Sequence, residues 1–229
     1  MDLSLIGANI VKLWTNYWHI YLIEGVVTTL KLTVFAVVLG ALLGVVVAML
    51  KMSKSKIVRF LITFYIEVIR GTPLLLQLML FYFVLPQLIP IFDFNEFTWV
   101  AIALCINSSA YVSEIFRSGI QSVDKGQTEA ARSLGLSSWQ SMRLVVLPQA
   151  IKNVLPALGN EVVTMVKESS MCMVLGMGEI MHSAQTIAGS TYIAIGPFML
   201  AAFIYFLITY PTSKVIERIE RRMRRGDKR

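Results

Sequence analysis

Long apolar runs, separated by short polar or glycine- and proline-bearing segments, make up most of this chain. Residues 34–50 carry no charge. With their flanks they predict a first span from about 22 to 52, since about 20 mostly apolar residues cross roughly 30 Å of hydrocarbon as a helix. Gly40 and Gly44 lie four apart in it, the small-residue spacing that lets a second helix approach closely. A second span falls within 57–88 but is interrupted by Gly71-Thr72-Pro73, because proline removes a backbone donor and bends a helix. Further spans are predicted over about 97–120, from Pro148 to about 166, and over 197–215. Residues 169–196 hold short apolar pieces broken by glycines, a pattern suited to re-entrant helix pieces. The expectation is an all-α integral membrane protein with about five transmembrane helices.

Composition agrees. Of 229 residues, 56% are apolar and 15% charged, against roughly a quarter charged in soluble domains. The net charge of +7 is distributed by position. Cations fill 51–59, 125–152 and the tail, with eight Lys and Arg from Lys214 onward, whereas 86–98 and 176–197 contain none. These groups alternate along the chain. The positive-inside rule therefore places the basic segments in the cytoplasm, the N-terminus outside and the C-terminus inside. Topology explains the basic charge without nucleic acid as a partner. Residues 1–21 mix polar residues with Trp14, Tyr17 and Trp18, as an extracytoplasmic or interfacial segment does. The membrane domain is then 22–215, and 216–229 is a basic tail. Cys105 and Cys172 sit in apolar surroundings and read as free, buried thiols.

The loop at about 121–148 has readable punctuation. Asp124 with Gln127 resembles a capping box and Gly135 suits the position after a helix end, predicting a short helix over 126–134. Ser137 with Gln140 is a second capping box, predicted to open a helix that runs to Pro148.

Polar side chains within the spans need a reason to be there. From the rise of a helix, Asn107 lies about 15 Å and Gln77 about 16 Å from their outer span ends, and Glu161 about 20 Å from Pro148. All three fall near the middle third of the roughly 30 Å hydrocarbon core. Asn107, Tyr111, Glu114 and Ser118 share one helix face, as do Glu161, Thr164 and Glu168. Such stripes suit either a cavity or polar contacts between helices. A cavity lined by hydroxyls, amides and a carboxylate suits an amino-acid zwitterion, with Glu161 receiving an ammonium or guanidinium. Arg70 with Glu67, and Glu114 with Arg117, are also at ion-pair spacing.

Glu129-Ala130-Ala131, three residues, Gly135, nine residues, Val145, one residue and Leu147-Pro148 resembles the EAA loop of bacterial ABC-transporter permeases. Ile69-Arg70-Gly71-Thr72-Pro73-Leu74-Leu75-Leu76-Gln77, Asn107-Ser108-Ser109-Ala110-Tyr111, Gly159-Asn160-Glu161 and Lys167-Glu168-Ser169 are similar to segments of the polar amino-acid uptake permeases of the histidine, glutamine and arginine type. The resemblance runs from about residue 22 to the C-terminus. It implies a type I (MetI-like) ABC importer fold and a coupling helix that carries Glu129, Ala130, Ala131, Arg132 and Gly135 into a groove on an ATPase subunit. It implies substrate contacts from Glu161, Asn107, Ser108, Tyr111, Thr72, Gln77 and Arg70. It also implies the partners: a second permease copy or paralogue, two cytoplasmic ABC ATPases and an extracytoplasmic amino-acid-binding protein.

No GxxxxGK[ST] sequence is present. The chain is thus expected to hold no cofactor and no ATPase site of its own, with ATP and magnesium on the partner. A stand-alone secondary transporter is the alternative, but those often show repeats, and none is clear here. An enzyme using Glu161 or His182 lacks any nucleophile–base pair or metal-ligand spacing.

Overall fold

The computed structural model describes residues 3–225. The basic-tail reading at 226–229 and the start of the N-terminal segment at 1–2 lie outside the described residues. All regular elements among the described residues are helical.

Helix α1 (Leu3–His19) passes through a widened π-type stretch, Ile20–Val26, into α2 (Val27–Lys51) without a break. Within it, Ile10–Lys51 forms 42 residues of apolar helix, about twice the length that hydrocarbon requires. The N-terminal residues thus continue the first span as helix. They are tied down by Leu13 and Tyr21, which pack with Ile180, Ile187, Leu200 and Ile204. The buried Tyr21 hydroxyl donates to the Pro197 carbonyl at 2.9 Å.

Ser55 caps α3 (Lys56–Gly71) by accepting from the Val58 N–H. The chain then turns by 105° into a second arm. That arm comprises α4 (Leu74–Met79), a π turn over Leu80–Val84 and α5 (Leu85–Leu88). Asn95 caps α6 (Glu96–Gln121). Next come α7 (Lys125–Ser133), α8 (Ser138–Ser141), a π turn at Met142–Val146 and α9 (Leu147–Glu168). A 3₁₀ stretch, Ser169–Leu175, leads to α10 (Ile180–Thr191) and α11 (Ile195–Arg225).

Pro148 does not end the helix opened at Ser137. Helical backbone runs on from Ser138 to Glu168. The Leu147 N–H reaches back to the Met142 carbonyl, one residue beyond the usual α partner. This wider turn makes room for the proline ring and needs no proline N–H. Pro86 is accommodated the same way, with Leu85 bonded to Leu80.

Among the described residues, three helices are long and apolar enough to cross a membrane, and the bent α3–α4/α5 pair makes a fourth span if counted as one. The predicted fourth span, α9, forms as a helix but does not reach that apolar content. It carries Lys152, Asn153, Asn160, Glu161, Lys167 and Glu168. It is instead held among α2, α6 and α11. Val34, Phe35, Leu42, Phe60, Phe203 and Phe206 are exposed on the outside of the bundle, the surface that a bilayer would cover.

The core forms where α2 meets α6. A Cβ built at Gly40 would stand 2.8 Å from the Ser108 Cβ, and one at Gly44 would stand 2.7 Å from Val112 Cγ1. The glycine pair read from the sequence is thus the face on which α6 rests. Leu32, Ala36, Leu78, Val100, Leu104, Met165 and the free Cys172 pack around this contact. Cys105 is also free and is half-buried.

Candidate functional site

The site begins at the break between α3 and α4. Thr72 and Pro73 are extended, so the last carbonyls of α3 lose their helical donors. An unsatisfied backbone group in hydrocarbon costs several kcal/mol. Side chains meet this need. The Thr72 hydroxyl donates to the Val68 carbonyl at 2.8 Å. The Gln77 Nε2 donates to the Ile69 carbonyl at 2.7 Å, the Thr72 carbonyl at 3.1 Å and the Thr72 hydroxyl at 2.8 Å. Its Oε1 accepts from Asn107 Nδ2 at 2.9 Å. Thr72, Gln77 and Asn107 thus form one chain from the bend to α6.

The next residue on α6 begins a second chain. Ser108 is fully buried, and its hydroxyl donates to Glu161 Oε1 on α9 at 3.0 Å. Glu161 is 7% exposed, and that remainder opens onto a cavity of about 770 Å³. Arg70, Tyr111, Glu114, Arg117, Ser118, Lys152 and Asn153 also line it. The structure therefore sorts the seven candidate residues by position. Glu161, Tyr111 and Arg70 line the cavity, while Asn107 and Ser108 stand behind the wall. Gln77 is buried and Thr72 sits at the bend.

Arg70 reaches across to α6 rather than back to Glu67. Its guanidinium lies 5.3 Å from the Tyr111 ring centre and 3.9 Å from Glu114. Glu114 also meets Lys51 at 2.6 Å and Arg117 at 2.7 Å. Lys51 ends α2, so this carboxylate ties α2, α3 and α6 together at one end of the cavity. The sequence showed the Glu114–Arg117 spacing but offered no sign of the contact with Lys51.

Helix α7 lies at that same end of the chain's path, after α6. Asp124 accepts from the Gly126 N–H at 2.7 Å, capping the helix alone. The expected box with Gln127 is absent because the Gln127 amide oxygen faces Gln149 Nε2 at 3.4 Å. At the other end Gly135 takes φ +84°. The Gly135 N–H bonds to the Arg132 carbonyl and the Leu136 N–H to the Ala131 carbonyl, the paired closure of a Schellman motif. Ser137 and Gln140 form the expected capping box. Ala131 is buried against the bundle, whereas Glu129, Ala130 and Arg132 are exposed. Leu134 and Trp139 beside them are 83% and 70% exposed, which leaves an apolar edge on a rigid, capped helix.

Sequence reasoning missed Glu179. It is fully buried, caps α10 through the Met181 and His182 N–H groups, and accepts from the Tyr205 hydroxyl at 2.7 Å. Glutamate is not among the preferred capping residues, so no local signal marked it. Among the described residues no three His, Cys, Asp or Glu are arranged to hold a metal.

Residues 36–225 match the family described as Binding-protein-dependent transport system inner membrane component. The chain is 40% identical over 207 residues to the arginine transport system permease protein of Bacillus subtilis (strain 168), covering 90% of this chain and 94% of that protein. It is 35% identical over 213 residues to the glutamine transport system permease protein of Escherichia coli (strain K12), covering 92% and 97%. A crystal structure of an amino acid ABC transporter with histidines matches with TM-score 0.85 and 47% identity, over 91% of this chain and 96% of that one. The methionine ABC transporter in inward-facing conformations matches with TM-score 0.72 at 18% identity, over 88% and 95%, a likeness of fold.

Proposed function

The chain belongs to the family of inner membrane components of binding-protein-dependent transport systems, and on that premise we propose that it forms the pathway of an ATP-driven importer of polar amino acids. Its fold is the MetI-like fold of type I ABC importers. The observation that carries the proposal is the cavity of about 770 Å³ with Glu161, Arg70 and Tyr111 in its walls. Its size lies within the range of small-molecule sites, and its walls offer both signs of charge. Glu161 receives the ammonium or guanidinium of the amino acid and Arg70 its carboxylate. Tyr111 packs against the aliphatic part. Ser108 holds Glu161 from behind.

The energy enters through α7. Its exposed Glu129, Ala130 and Arg132, with Ala131 and Gly135 fixing its seat and its end, dock into a cytoplasmic ABC ATPase. Leu134 and Trp139 add apolar surface to that contact. ATP binding closes two ATPase subunits, and the closure is passed through α7 to α6 and α9, on either side of the cavity. Two permease chains, identical or paralogous, complete the pathway, and an extracytoplasmic binding protein delivers the substrate. In this orientation α7 and the basic tail are cytoplasmic and the N-terminus is outside. ATP and magnesium belong to the partner.

Two expected results test this. Purified with the ATPase and reconstituted, the chain supports ATP hydrolysis that rises with binding protein and amino acid; hydrolysis indifferent to both argues against import. Glu129→Lys reverses a charge on the exposed face of α7 without touching the cavity. It should cut co-purification of the ATPase roughly tenfold or more, as charge reversal at a contact does. Normal recovery of the ATPase with this variant removes Glu129 from the docking surface.

A further inference from the structure

Gln77 was grouped by sequence with the substrate contacts, yet it is 5% exposed and is not among the residues lining the cavity. Its amide group performs another task. The nitrogen serves three acceptors at the broken end of α3, and the oxygen accepts from Asn107. A purely structural staple would leave its partner amide satisfied as well. Asn107 is 3% exposed, and its Oδ1 is buried without a hydrogen-bond partner. That open acceptor belongs to the neighbour of Ser108, which holds Glu161. On the other side of the relay, Arg70 immediately precedes the break and lines the cavity.

We infer that Gln77 is a positioning residue that couples occupancy of the cavity to the angle of the α3–α4 bend, through the hydrogen bond from Asn107. The inference rests on the importer reading above. An ammonium group drawn to Glu161 competes for the carboxylate with the Ser108 hydroxyl, and Asn107, the preceding residue of α6, has an Oδ1 that no neighbour holds in place. Asn107 then shifts, and its Nδ2 shifts the Gln77 amide. Hydrogen bonds weaken steeply with misalignment, so a small displacement of that amide loosens the end of α3. The bend carries Arg70, and its movement resets the distance of the guanidinium from Glu114, 3.9 Å in this structure. Substrate binding is thereby reported to α3, whose Arg70 lines the cavity.

The test uses the permease reconstituted with its ATPase in lipid nanodiscs with the binding protein present, and hydrolysis is followed against the polar amino acids in turn, L-arginine and L-glutamine first. Gln77→Met keeps length and flexibility but removes the relay. Its half-saturating amino-acid concentration should stay within about threefold of the parent's, while maximal stimulation falls roughly tenfold, the scale of a lost coupling between sites. Adding Asn107→Leu to Gln77→Met should cost no further stimulation. Should Gln77→Met fail to assemble, Thr72→Val removes one acceptor of the same amide and should reduce maximal stimulation in the same direction. Unchanged maximal stimulation, a change in half-saturation alone, or additive losses overturn the inference and leave the importer reading standing. No stimulation of the parent complex by any polar amino acid with the binding protein present overturns both.

Discussion

Replacing Gly44 with leucine is expected to prise α2 from α6 and to lower the thermal midpoint of the purified protein by roughly 10 °C. A Cβ at this position would meet Val112 Cγ1 at 2.7 Å and the Ser109 carbonyl oxygen at 3.0 Å. The second of these is backbone and cannot rotate away. In a membrane, close packing drives helix association in place of the hydrophobic effect, and overpacking of a tight contact costs about 3 kcal/mol, which in a chain of this size corresponds to that shift. Gly71→Ala is the control, since nothing lies within 4 Å of a Cβ there. Fluorescence-detected thermal unfolding measures both. Equal midpoints for the two variants would mean that α2 and α6 do not pack on Gly44.

The second large effect is at Glu161. Glu161→Gln keeps the shape of the side chain and the acceptor for Ser108, and removes the charge. Losing one partner of a buried, hydrogen-bonded charge pair costs about 2–3 kcal/mol, so amino-acid affinity should fall roughly 30- to 150-fold. Assembly with the ATPase and the thermal midpoint should stay near those of the parent. Half-saturation of amino-acid-stimulated hydrolysis reports the affinity. An unshifted value would remove Glu161 from the site and leave Arg70 and Tyr111 as the cavity's contacts.

Local chemistry was the most legible part of the sequence. The ends of α7 were expected at 126–134 and lie at Lys125–Ser133, because a glycine in left-handed backbone and a short polar cap act within a few residues. The close approach at Gly40 and Gly44 was legible for the same reason. The single continuous helices were not. Proline is expected to stop a helix, yet Pro86 and Pro148 each follow a π turn that accommodates the ring. The aromatic residues near Trp14 suited an interfacial segment as well as a helix that continues into α2.

The cavity was half legible. Periodicity brought Tyr111, Glu114 and Ser118 onto one face of α6, and all three line the cavity. Depth along the helices placed Asn107, Gln77 and Glu161 at similar levels, and hydrogen bonds join them in two chains. Which of these side chains face the opening and which support it depends on the packing of α2 behind α6, and no one-dimensional pattern carries that. Lys51 and Glu114 are 63 residues apart, and Glu179 meets Tyr205 across 26. Such pairings exist only once the helices are assembled.

The most direct measurement is uptake into proteoliposomes that contain the chain with its ATPase, screened across the twenty amino acids. ATP is supplied on the side of the ATPase, and the binding protein is present or absent. The importer reading predicts accumulation of a subset of polar amino acids that requires ATP and the binding protein together. Uptake that proceeds without the ATPase, driven by an ion gradient, would contradict it and show a secondary transporter.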